Sequence, residues 1–115
     1  MKKIFGSIFI NRDRLSEAGI NYPIKVEYYK LTDENIKTRK NELVYGIQII
    51  KTEYRDKIGI EQNKMEHITN DENEINKMLK LVKEYQVTPV GLEDVIGEIK
   101  KAPGLAICKK LSYNT

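Results

Sequence analysis

His67 and Cys108 are the side chains best suited to chemistry, and each type occurs once in the 115 residues. A histidine can be a general base, a metal ligand or the orienter of a nucleophile. His67 has Glu66 beside it, with Asp71, Glu72 and Glu74 close behind. A zinc site wants three or four Cys, His or carboxylate ligands at set spacing, and these carboxylates match no such spacing. The run Asp71-Glu72-Asn73-Glu74 has the composition of a calcium loop, without its glycine or its terminal bidentate glutamate. Ser7, Ser16 and Ser112 lie in no nucleophile motif, and there is no glycine-rich phosphate loop with its lysine. Glu93 and Asp94 are adjacent, and neighbours on a helix do not face each other, so they make no acid–base pair. Cys108 lies in the apolar run Leu105-Ala106-Ile107-Cys108 and reads as a small hydrophobe, despite Lys109 and Lys110 beside it. The chain therefore reads as non-catalytic, with no metal and no cofactor. One cysteine can form no internal disulfide, which fits a reducing cytoplasm.

Aromatic residues among cations offer a different chemistry, that of binding. The chain has seven tyrosines and two phenylalanines but no tryptophan. Tyr29 lies near Lys25, and Tyr54 near Lys51 and Arg55, all in segments with strand character. Single-strand nucleic-acid binders stack bases on aromatics within a basic groove, and one RNA-binding sheet fold presents its aromatics on an open face. The glycine and phenylalanine pattern of that fold is missing, and tyrosine suits half-buried strands in any case. Lys25, Tyr29, Lys51, Tyr54 and Arg55 are thus the candidate contacts for a nucleic acid or a protein partner. Net charge is only +3, but it is unevenly placed: residues 1–40 carry +4, 41–70 carry −1, 71–100 carry −3 and 101–115 carry +3. Basic termini flank an acidic helical region; solvated faces with acidic helix starts explain this most simply, and a basic patch made by converging termini is the sharper reading.

These side chains must be held by the elements around them. Thr69 to Lys100 reads as two amphipathic helices, 71–86 and 89–100. Ile75, Met78, Leu79, Val82 and Tyr85 make the apolar stripe of the first, and Leu92, Val95, Ile96 and Ile99 that of the second. Thr69 with Glu72, or Asp71 with Glu74, would cap the first helix, and its early carboxylates favour the positive end of the helix dipole. Thr88-Pro89 opens the second, Thr88 as cap and Pro89 at the first helical position. Gly91 and Gly97 weaken it, each by roughly 1 kcal/mol relative to alanine, so it depends on tertiary packing.

Upstream, residues 24–31 alternate as a strand, with Ile24, Val26 and Tyr28 on one side and Lys25, Glu27 and Tyr29 on the other. Leu43 to Tyr54 reads as the central strand, and Gly46 within it marks a bulge or a close approach by another side chain. Arg55-Asp56-Lys57 turns the chain into a third strand, Ile58 to Ile68. Thr32 to Glu42 is polar and reads as a long hairpin loop. Ile4 to Ile10 is apolar enough for a strand or a helical turn, a choice that so short a run leaves open. Its lysine-led start has the outline of a signal peptide, but Asn11-Arg12-Asp13-Arg14 follows without a small-residue cleavage site, so no leader is expected. No run approaches the ~20 apolar residues of a membrane span.

Three pieces taken together carry a resemblance: Tyr45-Gly46-Ile47-Gln48-Ile49-Ile50-Lys51, then Ile68-Thr69-Asn70-Asp71 opening a helix, then Val87-Thr88-Pro89-Val90-Gly91-Leu92-Glu93-Asp94-Val95-Ile96. Their order over residues 24–100 resembles a family of small uncharacterised bacterial proteins, a domain of unknown function. It has a strand with a Tyr-Gly centre and a closing helix introduced by Thr-Pro. The resemblance implies a compact cytoplasmic domain and no catalytic residue.

The expected fold is one α+β domain over residues 1–115: a three- or four-stranded, mainly antiparallel sheet with the C-terminal pair of helices packed on one face. Residues 1–23 form an N-terminal extension, 24–68 a β-meander, 69–100 the helical pair and 101–115 a tail. The expected core is Val26, Tyr28, Tyr45, Ile47, Ile49, Ile60, Ile75, Met78, Leu79, Val82, Leu92, Val95, Ile96 and Ile99. The expected function is that of a non-catalytic protein-interaction or regulatory module, such as a host adaptor or a phage-type inhibitor. Its partner is an unidentified protein, or a second copy joined through a sheet edge, and no membrane is involved. The alternative is a weak nucleic-acid binder that uses the basic termini and strand tyrosines.

Overall fold

The computed structural model describes residues 1–10, 22–34 and 42–101. Strands β1 (Lys2–Ile10), β2 (Ile24–Glu34), β3 (Leu43–Tyr54) and β4 (Ile58–Thr69) form one antiparallel sheet in the order β1-β2-β3-β4. Helix α1 (Glu72–Glu84), a 3-10 turn (Pro89–Gly91) and helix α2 (Leu92–Lys101) follow. The helices cover one face of the sheet, as expected, in a two-layer α+β arrangement. No helix among the described residues is long and apolar enough to cross a membrane.

The segment read as an N-terminal extension supplies β1. Ile8 and Ile10 sit opposite Val26 and Ile24, so the strand is favoured over a helical turn by a continuous row of aliphatic neighbours across two strands. The register shifts between Ile4 and Gly6, leaving Phe5 as the extra residue of a bulge. In β2 the alternation is as read: Ile24, Val26 and Tyr28 are buried and the residues between them are not. The strand runs further than expected, pairing Thr32, Asp33 and Glu34 with Tyr45, Val44 and Leu43. Part of the supposed loop is therefore sheet, and residues 35–41 lie outside the described residues.

Gly46 does mark a bulge, which lies on the partner strand. Tyr45 pairs with Thr69 while Ile47 pairs with Met65, so β4 spends more residues than β3 over this interval. His67, within the bulge, has a φ of 55°. A Cβ on Gly46 would lie 2.3 Å from the Met65 carbonyl oxygen. The close approach is thus by backbone rather than by a side chain.

Asp71 caps α1, its Oδ1 accepting from the backbone N–H groups of Asn73 (2.9 Å) and Glu74 (3.4 Å). Thr69 supports the same turn: its hydroxyl accepts from Asp71 N–H and donates to Glu74 Oε2, both at 3.1 Å. The helix ends in a Schellman arrangement. Gln86 N–H donates to the Lys83 carbonyl and Val87 N–H to that of Val82, with Gln86 at φ 54°. After the Thr88-Pro89 joint the chain makes a 3-10 turn before the α-helix begins at Leu92, three residues later than expected. Gly91 N–H donates to the Thr88 carbonyl to close that turn, and the Thr88 side chain makes no capping bond.

The core contains every expected residue except Ile60, together with Ile24, Ile68 and Val87. Ile60 is 67% exposed. It lies opposite Thr52 on the side of the sheet away from the helices, a placement fixed by the period-2 alternation of β4.

Candidate functional site

Alternation across β1 to β4 leaves one sheet face that no helix among the described residues covers. Cross-strand pairs place Phe9, Lys25, Thr52 and Ile60 in one row of that face, and Tyr54 opposite Ile58 at its end. Ile4, Tyr29, Gln48 and Lys64 form a second row towards the other end.

Three of the five candidate contact residues, Lys25, Tyr29 and Tyr54, share this face. Lys51 does not: its position falls on the helix side, opposite Val26 and Glu61, and its Nζ lies 3.8 Å from Glu53. Arg55 is in the turn after β3, where it lies 3.5 Å from Glu53 and over the Tyr22 ring at 5.5 Å. The sequence groups the five by proximity, and strand parity separates them.

The apolar end of the face is built by residues that the aromatic and cationic spacing does not single out. Phe9, Ile58 and Ile60 are 56%, 65% and 67% exposed, and the Phe9 and Tyr54 ring centroids are 6.3 Å apart. The signal lies in β4 itself, where the aliphatic residues Ile58 and Ile60 share parity with Gln62 and Lys64. The opposite parity gives Glu61, Asn63 and Met65 to the helix side. There Asn63 Nδ2 donates to the Pro89 carbonyl at 3.0 Å, holding the helix joint to the sheet. The first half of β4 thus turns Ile58 and Ile60 outward to solvent, while Asn63 on the inner parity secures the joint.

Charges become denser along the same face. Tyr29 donates its phenolic hydrogen to Glu27 Oε2 at 2.8 Å, and this bond raises the Tyr29 pKa above its ordinary value. Lys25 Nζ lies 4.0 Å from the same carboxylate oxygen, and Lys2 Nζ sits over the Tyr29 ring at 4.5 Å. At the far end His67 Nε2 lies 3.3 Å from Asp33 Oδ2. The two residues belong to β4 and β2, and they meet across β3 near Gly46, which has no side chain to intervene. The hydrogen bond to His67, then the Glu34 N–H, holds the Asp33 carboxyl below its ordinary pKa. A shallow cavity of about 340 Å³ lies here, lined by Leu31, Asp33, Val44, Gly46, Lys64 and His67 among others.

The carboxylates around His67 in sequence are engaged in other contacts. Glu66 pairs with Lys64 at 3.1 Å, Asp71 caps α1, and Glu72 accepts from the Tyr45 hydroxyl and pairs with Lys30. Among the described residues no group of three or more His, Cys, Asp or Glu side chains is placed to hold a metal ion. Cys108 lies outside the described residues.

A family model of unknown function, DUF6514, matches residues 7–102. The chain belongs to that family. The match takes in part of β1, all of β2 to β4 and both helices. No curated protein and no solved structure matches the chain. Expected membership of a family without an assigned activity therefore holds, and the case for a function rests on the geometry of the site.

Proposed function

We propose that the protein is a non-catalytic binding module that engages another protein through the helix-free face of its sheet. The observation that carries this reading is the inverted polarity at the start of β4, with Ile58 and Ile60 directed to solvent beside Phe9 and Tyr54. Aliphatic and aromatic side chains in a contiguous exposed patch mark interaction surfaces, because their exposure costs free energy that a partner recovers. The flanking Lys25, Glu27 and Tyr29 supply the polar rim that such interfaces carry. A cytoplasmic regulatory role, as an adaptor or an inhibitor, is the kind of process that such a module serves.

A second reading has its own support. Lys25, Tyr29 and Tyr54 share the face, as in sheets that stack single-stranded nucleic acid. Glu27 weighs against it, since it lies among them and is already bonded to Tyr29.

The two readings separate in one experiment. The tagged protein, with Ile60→Lys and Phe9→Lys variants, is used for affinity capture from its native cells, with nuclease treatment and at low and high salt. A stoichiometric protein that survives both treatments and is lost from both variants supports the proposal. Capture unaffected by either substitution, or recovery of nucleic acid alone with steep salt dependence, would overturn it.

A further inference from the structure

A second surface lies on the opposite side of the sheet, at its β1 edge. β1 ends the strand order, so its outer backbone groups face no strand among the described residues. Helix α1 overhangs this edge: the Lys83 side chain lies across Gly6, close enough that a Cβ there would come within 2.9 Å of Lys83 Cε. Between strand and helix runs a groove of about 580 Å³, lined by Phe5, Ile8, Lys80, Lys83, Glu84 and Gln86. A strand edge beside a helix is the arrangement to which extended peptides add, their main chain pairing with the edge and alternate side chains entering the groove. From Gly6 to Ile10 the β1 register with β2 is continuous, so this length can template a further strand.

We propose that this groove binds an extended acidic segment of a partner protein by strand addition to β1. The charges choose the guest. Lys3 lies opposite Lys30 on the helix side of the sheet. Lys30 is already held by Glu72 at 3.4 Å and Asn76 at 3.1 Å. Among the described residues, Lys3, Lys80 and Lys83 have no ion-pair partner, and Glu84 is the only carboxylate that lines the groove. A guest with an apolar residue for Phe5 and Ile8, and carboxylates two and four residues along, matches the groove in both polarity and sign. A second copy of β1 would not, since Lys2–Ile10 contains no carboxylate.

The test uses a fluorescein-labelled peptide Thr-Val-Thr-Glu-Thr-Glu-Thr, and a control with lysine in place of glutamate, titrated against the full chain. Anisotropy gives affinity, and amide shifts give location. Saturable binding of the acidic peptide, at least tenfold tighter than the control, with shifts confined to β1 and α1, is the expected result. The Lys80→Glu/Lys83→Glu variant should reverse that preference, and Ile60→Lys should leave it intact. Equal affinity for both peptides, shifts centred on the helix-free face, or no binding of either peptide would overturn the proposal. So would self-association by light scattering with shifts along β1, because the occupant would then be a second copy.

Discussion

The hydroxyl of Tyr28, in the middle of β2, donates a 2.9 Å hydrogen bond to the carbonyl oxygen of Val87, at the joint between the helices. Both residues are buried. The bond fixes where α1 stops relative to the sheet, and burial pushes the Tyr28 phenol well above its ordinary pKa of 10.0. Tyr28→Phe leaves the Val87 carbonyl without this donor and should lower stability by about 1–2 kcal/mol in urea unfolding at pH 7. The pH dependence has a definite sign. A raised folded-state pKa stabilises fully below the unfolded value and is lost as pH rises past it. The native protein should therefore weaken above about pH 10, and Tyr28→Phe should weaken less steeply there.

Gly46 and Gly97 should respond to alanine with opposite signs. A methyl group at Gly46 meets the Met65 carbonyl at 2.3 Å, and the β4 backbone must move to admit it. A loss of about 1–3 kcal/mol is expected, with altered amide exchange around the bulge. At Gly97, inside α2, nothing lies within 4 Å of the added carbon, so alanine should gain about 0.5–1 kcal/mol.

Gln86 holds a left-handed backbone, at φ 54°, in the Schellman close of α1. Glycine adopts that conformation without the Cβ penalty, so Gln86→Gly should raise stability by about 1 kcal/mol. Thermal melts of the two proteins would check this, and an unchanged or lower Tm would contradict the cap geometry.

Asp33 and His67 make a prediction readable by titration. The Asp33 carboxyl is held low chiefly by its hydrogen bond to His67, so its stabilising effect exists above the ordinary carboxylate range and is lost as pH falls through the lowered value. In His67→Ala the Asp33 pKa should move back up, as read from its side-chain carbon shift by NMR. An unmoved titration would mean that the Glu34 N–H alone sets it.

Core substitutions test how β4 is oriented. Leu79→Ala and Ile96→Ala remove fully buried side chains and should each cost about 2–5 kcal/mol. Ile60→Ala should change stability by less than about 0.5 kcal/mol, the range of ordinary surface sites.

That contrast shows what the sequence could and could not convey. The helical stripes, the alternation of β2 and the special character of Gly46 were legible because each is a local pattern with one structural solution. Ile60 was misplaced because the most apolar parity of a strand normally faces the core, whereas β4 uses its inner parity for Asn63 and the helix joint. The late start of α2 has a similar origin, since a Thr-Pro start is compatible with either a 3-10 or an α turn. For β1, only pairing with β2 decides between strand and helix. Lys51 was grouped with Lys25 and Tyr29 by closeness of type, but its parity puts it on the other side of the sheet. The β1 groove was not legible at all, because Phe5 and Lys83 are brought together solely by the helix crossing the sheet edge.

The strand order has a consequence for how the chain is made. The four described strands lie within residues 2–69, and the described helices that cover them lie within 72–101. During synthesis the sheet therefore leaves the ribosome before its cover, with Val26, Tyr28, Ile47 and Ile49 bare on one side and Phe9, Ile58 and Ile60 bare on the other. A nascent chain halted ahead of Glu72 is sticky on both faces, which makes it a client for holdase chaperones and makes premature termination a route to aggregation rather than to a smaller working protein.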